Sequence, residues 1–143
     1  MRNMAILIDT NVVLDFFLDR EPFSENADKV FQYCVTGAIT GYLACHSILN
    51  AFYIARKERS VDDRKNFLIM LCERFHIVGI EADRIISALQ NDSWNDLEDG
   101  LQMQCAADEG LDYIITRDPK GFESSIVRTL SPDEFLEMYE REQ

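Results

Sequence analysis

The stretch Ala5-Ile6-Leu7-Ile8-Asp9-Thr10-Asn11 places an acid directly after a short, uninterrupted apolar run. Apolar runs without polar alternation are typical of inner strands in a parallel sheet that helices cover on both faces. In open α/β sheets the ligand site lies beyond the carboxyl ends of the strands. The pattern therefore predicts that Asp9 lies at the edge of the sheet where a functional site would form.

The composition predicts one domain over residues 1–143. The chain has 143 residues, of which 47% are hydrophobic, which suffices for one core and not for two. Its amino-terminal apolar run is short and is interrupted by acids, so we expect neither a signal peptide nor a membrane span. The cysteines form no CxxC pair, which favours reduced, buried thiols in a cytoplasmic protein over a zinc site or disulfides. They are Cys34, Cys45, Cys72 and Cys105.

The charge balance is strongly acidic, with 26 acidic against 14 basic residues and a net charge of -12. Such a surface repels nucleic acid at long range, which argues against a simple nucleic-acid-binding module. A role with nucleic acid would therefore require a local site with bound cations.

Strands and helices alternate along the chain. Apolar residues at helical spacing predict helices over 11–18, 24–35, from 47 into the basic segment at 56–59, 61–74, 82–89, 97–109 and from Ser131 onward. Further strands are predicted over 41–45, 75–80, 111–116 and, at an edge, 126–130. Thr10 or Asn11 is the expected cap of the first helix, and Cys72 is expected on the buried face of the fourth. The alternation predicts an α/β domain of three layers around a mainly parallel sheet.

Acidic residues recur at the ends of these elements. Asp9 and Asp118 follow apolar strands, and Asp96 and Asp99 lie three residues apart at the start of one helix. Each acid alone also suits a turn or a helix cap. Together, however, converging carboxylates raise one another's pKa values, and a hard divalent cation such as magnesium or manganese relieves that repulsion. The joint pattern favours a cation site.

Three ordered motifs resemble those of PIN-domain proteins. They are Ile8-Asp9-Thr10-Asn11, the segment 96–102 with its acids at 96 and 99, and Ile114-Ile115-Thr116-Arg117-Asp118 followed by Gly121-Phe122. The resemblance covers nearly the whole chain. It implies an α/β/α sandwich with a mainly parallel sheet of about five strands and a metal-dependent nuclease. Many small members are toxin ribonucleases of toxin–antitoxin pairs, which implies a homodimer and a cognate antitoxin.

The resemblance also implies roles for individual residues. Asp9 matches the first metal-binding acid, Asp99 the principal late acid and Asp118 the acid after the last core strand. Asp96 matches an additional acid that part of the family carries. Asn11 and Thr116 match polar residues that position the acidic cluster.

One position departs from the family pattern. Family members usually carry a glutamate on the helix after the second strand, where this chain has Asn50. An asparagine offers a carbonyl oxygen, but it adds no negative charge and cannot act as a base. Asp96 and Glu98 are the acids available to compensate.

The resulting hypothesis is hydrolysis of RNA phosphodiesters with one or two magnesium or manganese ions. Asp9, Asp99 and Asp118 would bind metal, with Asn50 and Asp96 completing the site. Arg56, Lys57, Arg59 and Arg117 would guide the RNA backbone, or would simply be solvated charges.

Two other functions stay open at this stage. An enzyme with an aspartyl nucleophile also places an acid after the first strand, but the second acid that such enzymes carry two residues later is missing here. The stronger alternative is a catalytically weak module, with Asn50 in its site, that binds an antitoxin or nucleic acid.

Overall fold

The protein is an α/β domain built on one parallel sheet, as the alternating pattern predicts. The computed structural model describes residues 3–143. The strands are β1 (Ala5–Ile8), β2 (Thr40–Ala44), β3 (His76–Val78), β4 (Tyr113–Ile115) and β5 (Arg128–Leu130). Their order in the sheet is β3-β2-β1-β4-β5, and every neighbouring pair is parallel. The apolar run that opens the chain is therefore the central strand.

Helices connect the strands. They are α1 (Thr10–Phe17), α2 (Ser24–Val35), α3 (Cys45–Ile54), α4 (Val61–Arg74), α5 (Ala82–Leu89), α6 (Leu97–Asp108) and α7 (Pro132–Arg141), with short 3-10 turns at Ala55–Lys57 and Pro119–Phe122. The helix predicted from Ser131 onward is present as α7, and it begins with a capping box formed by Ser131 and Glu134. Within residues 3–143, no helix is both long and apolar enough to cross a membrane.

The sheet separates two apolar layers because alternate residues of a strand face opposite sides. Ile6 and Ile8 face a core formed with α1, α2, α3, α4 and α7, whereas Ala5 and Leu7 face a smaller core formed with α6. Helix α5 packs on α6. This arrangement confirms the predicted α/β/α sandwich.

Three local expectations were wrong. Helix α1 is capped by Asp9 and not by Thr10 or Asn11, since the Asp9 side chain accepts the backbone N–H of Thr10. Cys72 is exposed, and Leu71 is the one residue of α4 that is completely buried. The helix expected from residue 47 begins earlier, at Cys45, and its basic end is a 3-10 turn.

Gly41 provides a test of packing against β2. A Cβ at this position would stand 2.5 Å from the Phe75 ring and 2.9 Å from the sulfur of Cys34, and both neighbours are buried. We expect Gly41→Ala to lower the free energy of unfolding by about 1–3 kcal/mol through overpacking. Gly79→Ala is the matched control, because nothing lies within 4 Å of its added Cβ. Urea denaturation measures the free energy of unfolding of both variants. Equal values for Gly41→Ala and Gly79→Ala would contradict this packing.

Candidate active site

Asp9 is the buried centre of the acidic group. The residue is only 7% exposed, and its backbone N–H donates to the carbonyl oxygen of Ile115 at 2.9 Å. Its Oδ1 accepts the backbone N–H of Thr10 at 2.7 Å and Nε2 of Gln102 at 2.6 Å, and its Oδ2 accepts the Thr116 hydroxyl at 2.7 Å. Burial raises the pKa of Asp9, and these three donors oppose that rise by stabilising the anion.

Thr116 and Asn11 connect the end of β1 to the loop after β4. The buried Thr116 oxygen accepts the backbone N–H of Asp118 at 3.0 Å and Nδ2 of Asn11 at 3.4 Å. Because both of these groups donate to it, the hydroxyl directs its own proton to Asp9. Asn11 Oδ1 in turn accepts the backbone N–H of Arg117 at 3.4 Å. The two residues predicted to support the acids therefore contact one another beside Asp9.

Gln102 also belongs to this site, although no role was predicted for it within its motif. It is completely buried on α6, one turn after Asp99, and its Oε1 has no hydrogen-bond partner among residues 3–143. The bond to Asp9 orients the amide, since Oε1 turned toward the carboxylate would repel it. A polar side chain among the buried apolar positions of α6 was the available sequence signal.

The start of α6 presents the late acids. Asp96 caps this helix, because its Oδ1 accepts the backbone N–H groups of Glu98 at 2.8 Å and Asp99 at 3.3 Å. The capping role that its sequence position suggested is therefore present. Both Glu98 and Asp99 lie in the first helical turn, where the helix dipole favours negative charge.

The carboxyl group of Asp99 has a strongly raised pKa. Burial, followed by the negative charges of Asp9, Asp96, Glu98 and Asp118, raises its pKa to about 7. These charges act on Asp99 because the end of β1, the start of α6 and the loop after β4 meet at the same edge of the sheet. The structure therefore brings together the acids that the sequence placed on three separate elements.

Gly121 provides the space in which two of these acids approach one another. A Cβ at this position would lie 2.5 Å from Oδ2 of Asp99 and 3.7 Å from Oδ2 of Asp118. Any side chain here would displace the Asp99 carboxylate. The glycine of the third motif is therefore explained by this close approach.

Asn50 lies beside Glu98. Burial, with the charges of Asp96 and Asp9, raises the pKa of Glu98, whereas the nearby Asn50 side chain lowers it. Asn50 and Glu98 therefore influence one another although they lie on different helices. Glu98 therefore supplies a carboxylate close to the position where Asn50 lacks one.

His46 borders the same group. Its two ring nitrogens are buried and have no hydrogen-bond partner within the described residues. Burial lowers the pKa of His46, and the charge of Asp9 is the main opposing influence. The ring therefore adds little positive charge to the acids at neutral pH.

The donor set fits a hard divalent cation. It consists of carboxylate oxygens, which magnesium and manganese prefer, and Asp9 keeps lone-pair capacity after its three hydrogen bonds. Across residues 3–143, no three His, Cys, Asp or Glu side chains are grouped tightly enough to form a ready-made metal site. Binding by Asp9, Asp99 and Asp118 would therefore require their carboxylates to draw together.

Two of the four candidate RNA-guiding cations lie at the end of α3. Arg56 and Lys57 are exposed, and the Arg56 guanidinium lies 3.8 Å from the ring centroid of Tyr53. Exposure leaves both charges accessible to a nucleic-acid backbone.

The other two candidate cations are held by the protein. Arg59 donates to the Phe17 carbonyl at 3.0 Å. Arg117 forms an ion pair with the completely buried Asp15 and lies over the ring of Phe23. Their charges are thus already used in packing the fold.

The raised pKa of Asp99 predicts how stability depends on pH. The pKa of Asp99 is near 7 in the folded protein and 3.8 for an ordinary aspartate, so between these pH values the folded protein holds a proton that the unfolded chain has lost. The free energy of unfolding therefore falls as pH rises from about 4 through 7. In EDTA, we expect Asp99→Asn to flatten this decline and to be more stable than the unsubstituted protein at pH 8. Thermal unfolding across pH measures the effect. The control variant Asp92→Asn, in the exposed loop before α6, should show the same pH dependence as the unsubstituted protein. If Asp99→Asn also showed that unchanged pH dependence, the raised pKa of Asp99 would be contradicted.

Solved structures of proteins from toxin–antitoxin systems share this fold. A chain of a toxin–antitoxin complex from Klebsiella pneumoniae is 22% identical, with a TM-score of 0.66 over 89% of this chain and 97% of that one. DNA-bound VapBC from Salmonella typhimurium gives 14% identity and a TM-score of 0.69 over 90% and 98%. VapC20 from Mycobacterium tuberculosis, a sarcin–ricin loop cleaving toxin, is 10% identical, with a TM-score of 0.63 over 76% of this chain and 86% of that one. Identities this low establish the shared fold alone.

The family is established by the sequence itself. Among curated proteins, none matches this chain. A family model of the PIN domain, however, matches residues 5–120, which include β1, the acidic start of α6 and the loop after β4. The chain therefore belongs to the PIN-domain family.

Proposed function

We propose that this protein is a magnesium- or manganese-dependent endoribonuclease and the toxin of a toxin–antitoxin pair. The observation that carries the proposal is the buried Asp9 carboxylate, which three donors stabilise as an anion next to Asp99 with its pKa near 7. Membership of the PIN-domain family supports a nuclease. The toxin assignment is supported by similarity to a toxin–antitoxin complex and to a toxin that cleaves the sarcin–ricin loop.

Asp9, Asp99 and Asp118 are the proposed metal ligands. A bound magnesium or manganese ion would lower the pKa of the attacking water and stabilise charge on the phosphate. Asp99 contributes a carboxyl group that exchanges its proton for a cation near neutral pH, because its pKa lies close to 7. The hydrogen bonds from Thr116 and Gln102 favour the charged form of Asp9, which a cation requires, against the effect of burial.

Glu98 is proposed to replace the glutamate that the family usually carries where this chain has Asn50. The Asn50 side chain lies close enough to the Glu98 carboxylate to lower its pKa. The number of carboxylates facing the site is thereby maintained, although one of them comes from α6 and not from α3.

The exposed side chains on α3 support a role with partners. Arg56 and Lys57 are the accessible cations for an RNA backbone. On α3, the helix before the 3-10 turn that carries these cations, Leu49 is 71% exposed and Tyr53 63% exposed. Exposed apolar side chains favour contact with another protein. An antitoxin and a second copy of the chain are the proposed partners, in the cytoplasm.

Cleavage of RNA tests the proposed activity. We expect the purified protein to cleave RNA with manganese or magnesium and to lose at least a hundredfold in rate on Asp9→Asn or Asp99→Asn, since each substitution removes a charged ligand. Asp92→Asn is the control for loss of an acid outside the site. Cleavage that survives in both site variants would refute the site, and no cleavage at any metal concentration would favour the binding module with Asn50.

A charge exchange tests the role of Glu98. We expect Glu98→Gln to reduce the cleavage rate by tenfold or more and the double variant Glu98→Gln, Asn50→Glu to recover most of it, because the exchange returns one carboxylate to the same neighbourhood. The comparison uses initial rates of cleavage with manganese. No recovery in a folded double variant would show that Glu98 acts in another way.

A further inference from the structure

A cavity of about 280 Å³ lies between the start of α2, the loop after β4 and the start of α7. It is lined by Phe23, Asn26, Arg117, Ser131, Pro132 and Asp133. Arg117 lies in sequence between Thr116, which hydrogen-bonds Asp9, and Asp118. One lining residue is thus adjacent in sequence to a residue that positions Asp9 and to a proposed metal ligand. Its volume is near the lower limit for small-molecule pockets, about 300 Å³, which suits one flat ring system.

One wall of the cavity is a stacking surface. The Phe23 ring is large and apolar, yet the residue is 41% exposed, and the Arg117 guanidinium lies over the ring, 4.0 Å from its centroid. Single-stranded RNA is recognised through bases that stack on aromatic rings and guanidinium planes. Phe23 and Arg117 already stack on each other, so a base would extend this stack from its exposed side.

The charges of the cavity exclude a phosphate and admit a base. The Arg117 guanidinium is hydrogen-bonded through Nε and Nη2 to the carboxylate of the buried Asp15, so its charge is already neutralised. Asp133 adds an exposed negative charge at the start of α7. A phosphate would meet no free cation here, whereas the uncharged edge of a base would meet hydrogen-bonding groups.

The polar lining determines which base fits. Asp133 is an acceptor only, and its Oδ1 takes the Ser131 hydroxyl at 2.6 Å, which orients the carboxylate. Adenine, guanine and cytosine offer such an acceptor an exocyclic amino group at the edge of the base, whereas uracil offers only its ring N3–H, which lies between two carbonyl oxygens that the carboxylate repels. Asn26, half-buried at the same cavity, offers both a donor and an acceptor.

We propose that this cavity is a nucleobase subsite, in which an amino-bearing base of single-stranded RNA stacks on the exposed side of the Phe23–Arg117 pair and Asp133 accepts its amino group. The inference rests on the proposed ribonuclease function for its biological use, because the base would belong to a nucleotide next to the scissile phosphate. Binding of the base itself requires neither metal nor cleavage.

Nuclear magnetic resonance on the full chain tests the subsite without catalysis. In EDTA, we expect adenosine, guanosine and cytidine to shift the backbone amide signals of Phe23, Arg117 and Ser131, and uridine and D-ribose to shift them much less. Phe23→Ala should weaken nucleoside binding about tenfold, the loss expected for one stacked base, and Phe23→Trp should retain it. Asp133→Asn should keep binding but lose discrimination against uridine. Leu89→Ala removes another exposed apolar side chain, on α5, and should change nothing.

Several outcomes would overturn the subsite. They are equal shifts with D-ribose, binding unchanged in Phe23→Ala, or uridine bound as well as the other nucleosides. Shifts with N-acetyl-arginine amide but not with nucleosides would assign the cavity to a protein partner and equally overturn it.

Cleavage of a randomised RNA pool with manganese separates this inference from the proposed function. We expect a base preference next to the cut that Phe23→Ala removes. Cleavage with a preference that Phe23→Ala leaves intact would refute the subsite and keep the nuclease. Nucleoside binding without any cleavage would keep the subsite and refute the nuclease.

Discussion

The hydrogen bonds that stabilise the buried Asp9 carboxylate are the interaction on which the site depends. One carboxylate caps α1, accepts the amide of Gln102 from α6 and accepts the hydroxyl of Thr116 after β4. It therefore joins three elements that are far apart in sequence. An unpaired charge at this depth would be strongly disfavoured, whereas three donors recover much of the lost hydration. Burial nevertheless raises the pKa of Asp9, and the negative charge of its ionised form acts on the remaining acids.

Burial, followed by the negative charges of neighbouring acids, explains why the late acids are perturbed. Asp99 and Glu98 start α6 where the helix dipole favours anions, yet burial and their neighbours raise the pKa values of both. The metal-free protein thus carries repulsion that a cation would relieve. A site of this kind lowers the stability of the free protein and increases its affinity for a divalent ion, because the same carboxylates are responsible for both.

The parts of this arrangement that local sequence determines were predictable, and the pairings between elements were not. An apolar run followed by Asp9 predicts a strand end, and Asp96 three residues before Asp99 predicts a helix start, because both patterns are periodic and local. The bond from Gln102 to Asp9 spans 93 positions and follows no periodicity. The exposure of Cys72 was missed for a related reason, since helical spacing does not show which helix face the sheet covers.

Charge neutralisation also bears on the RNA binding proposed for this acidic PIN-domain chain. With a net charge of -12, the chain has no long-range attraction for phosphates, and Arg117, the cation nearest the acids in sequence, is already paired with buried Asp15. Under the proposed function, affinity would come mainly from divalent ions at the carboxylates and stacking of bases, with Arg56 and Lys57 as the accessible cations. Counterion release by lysine and arginine would be correspondingly small. An acidic surface of this kind disfavours indiscriminate binding to nucleic acid and leaves recognition to the few groups at the carboxyl edge of the sheet.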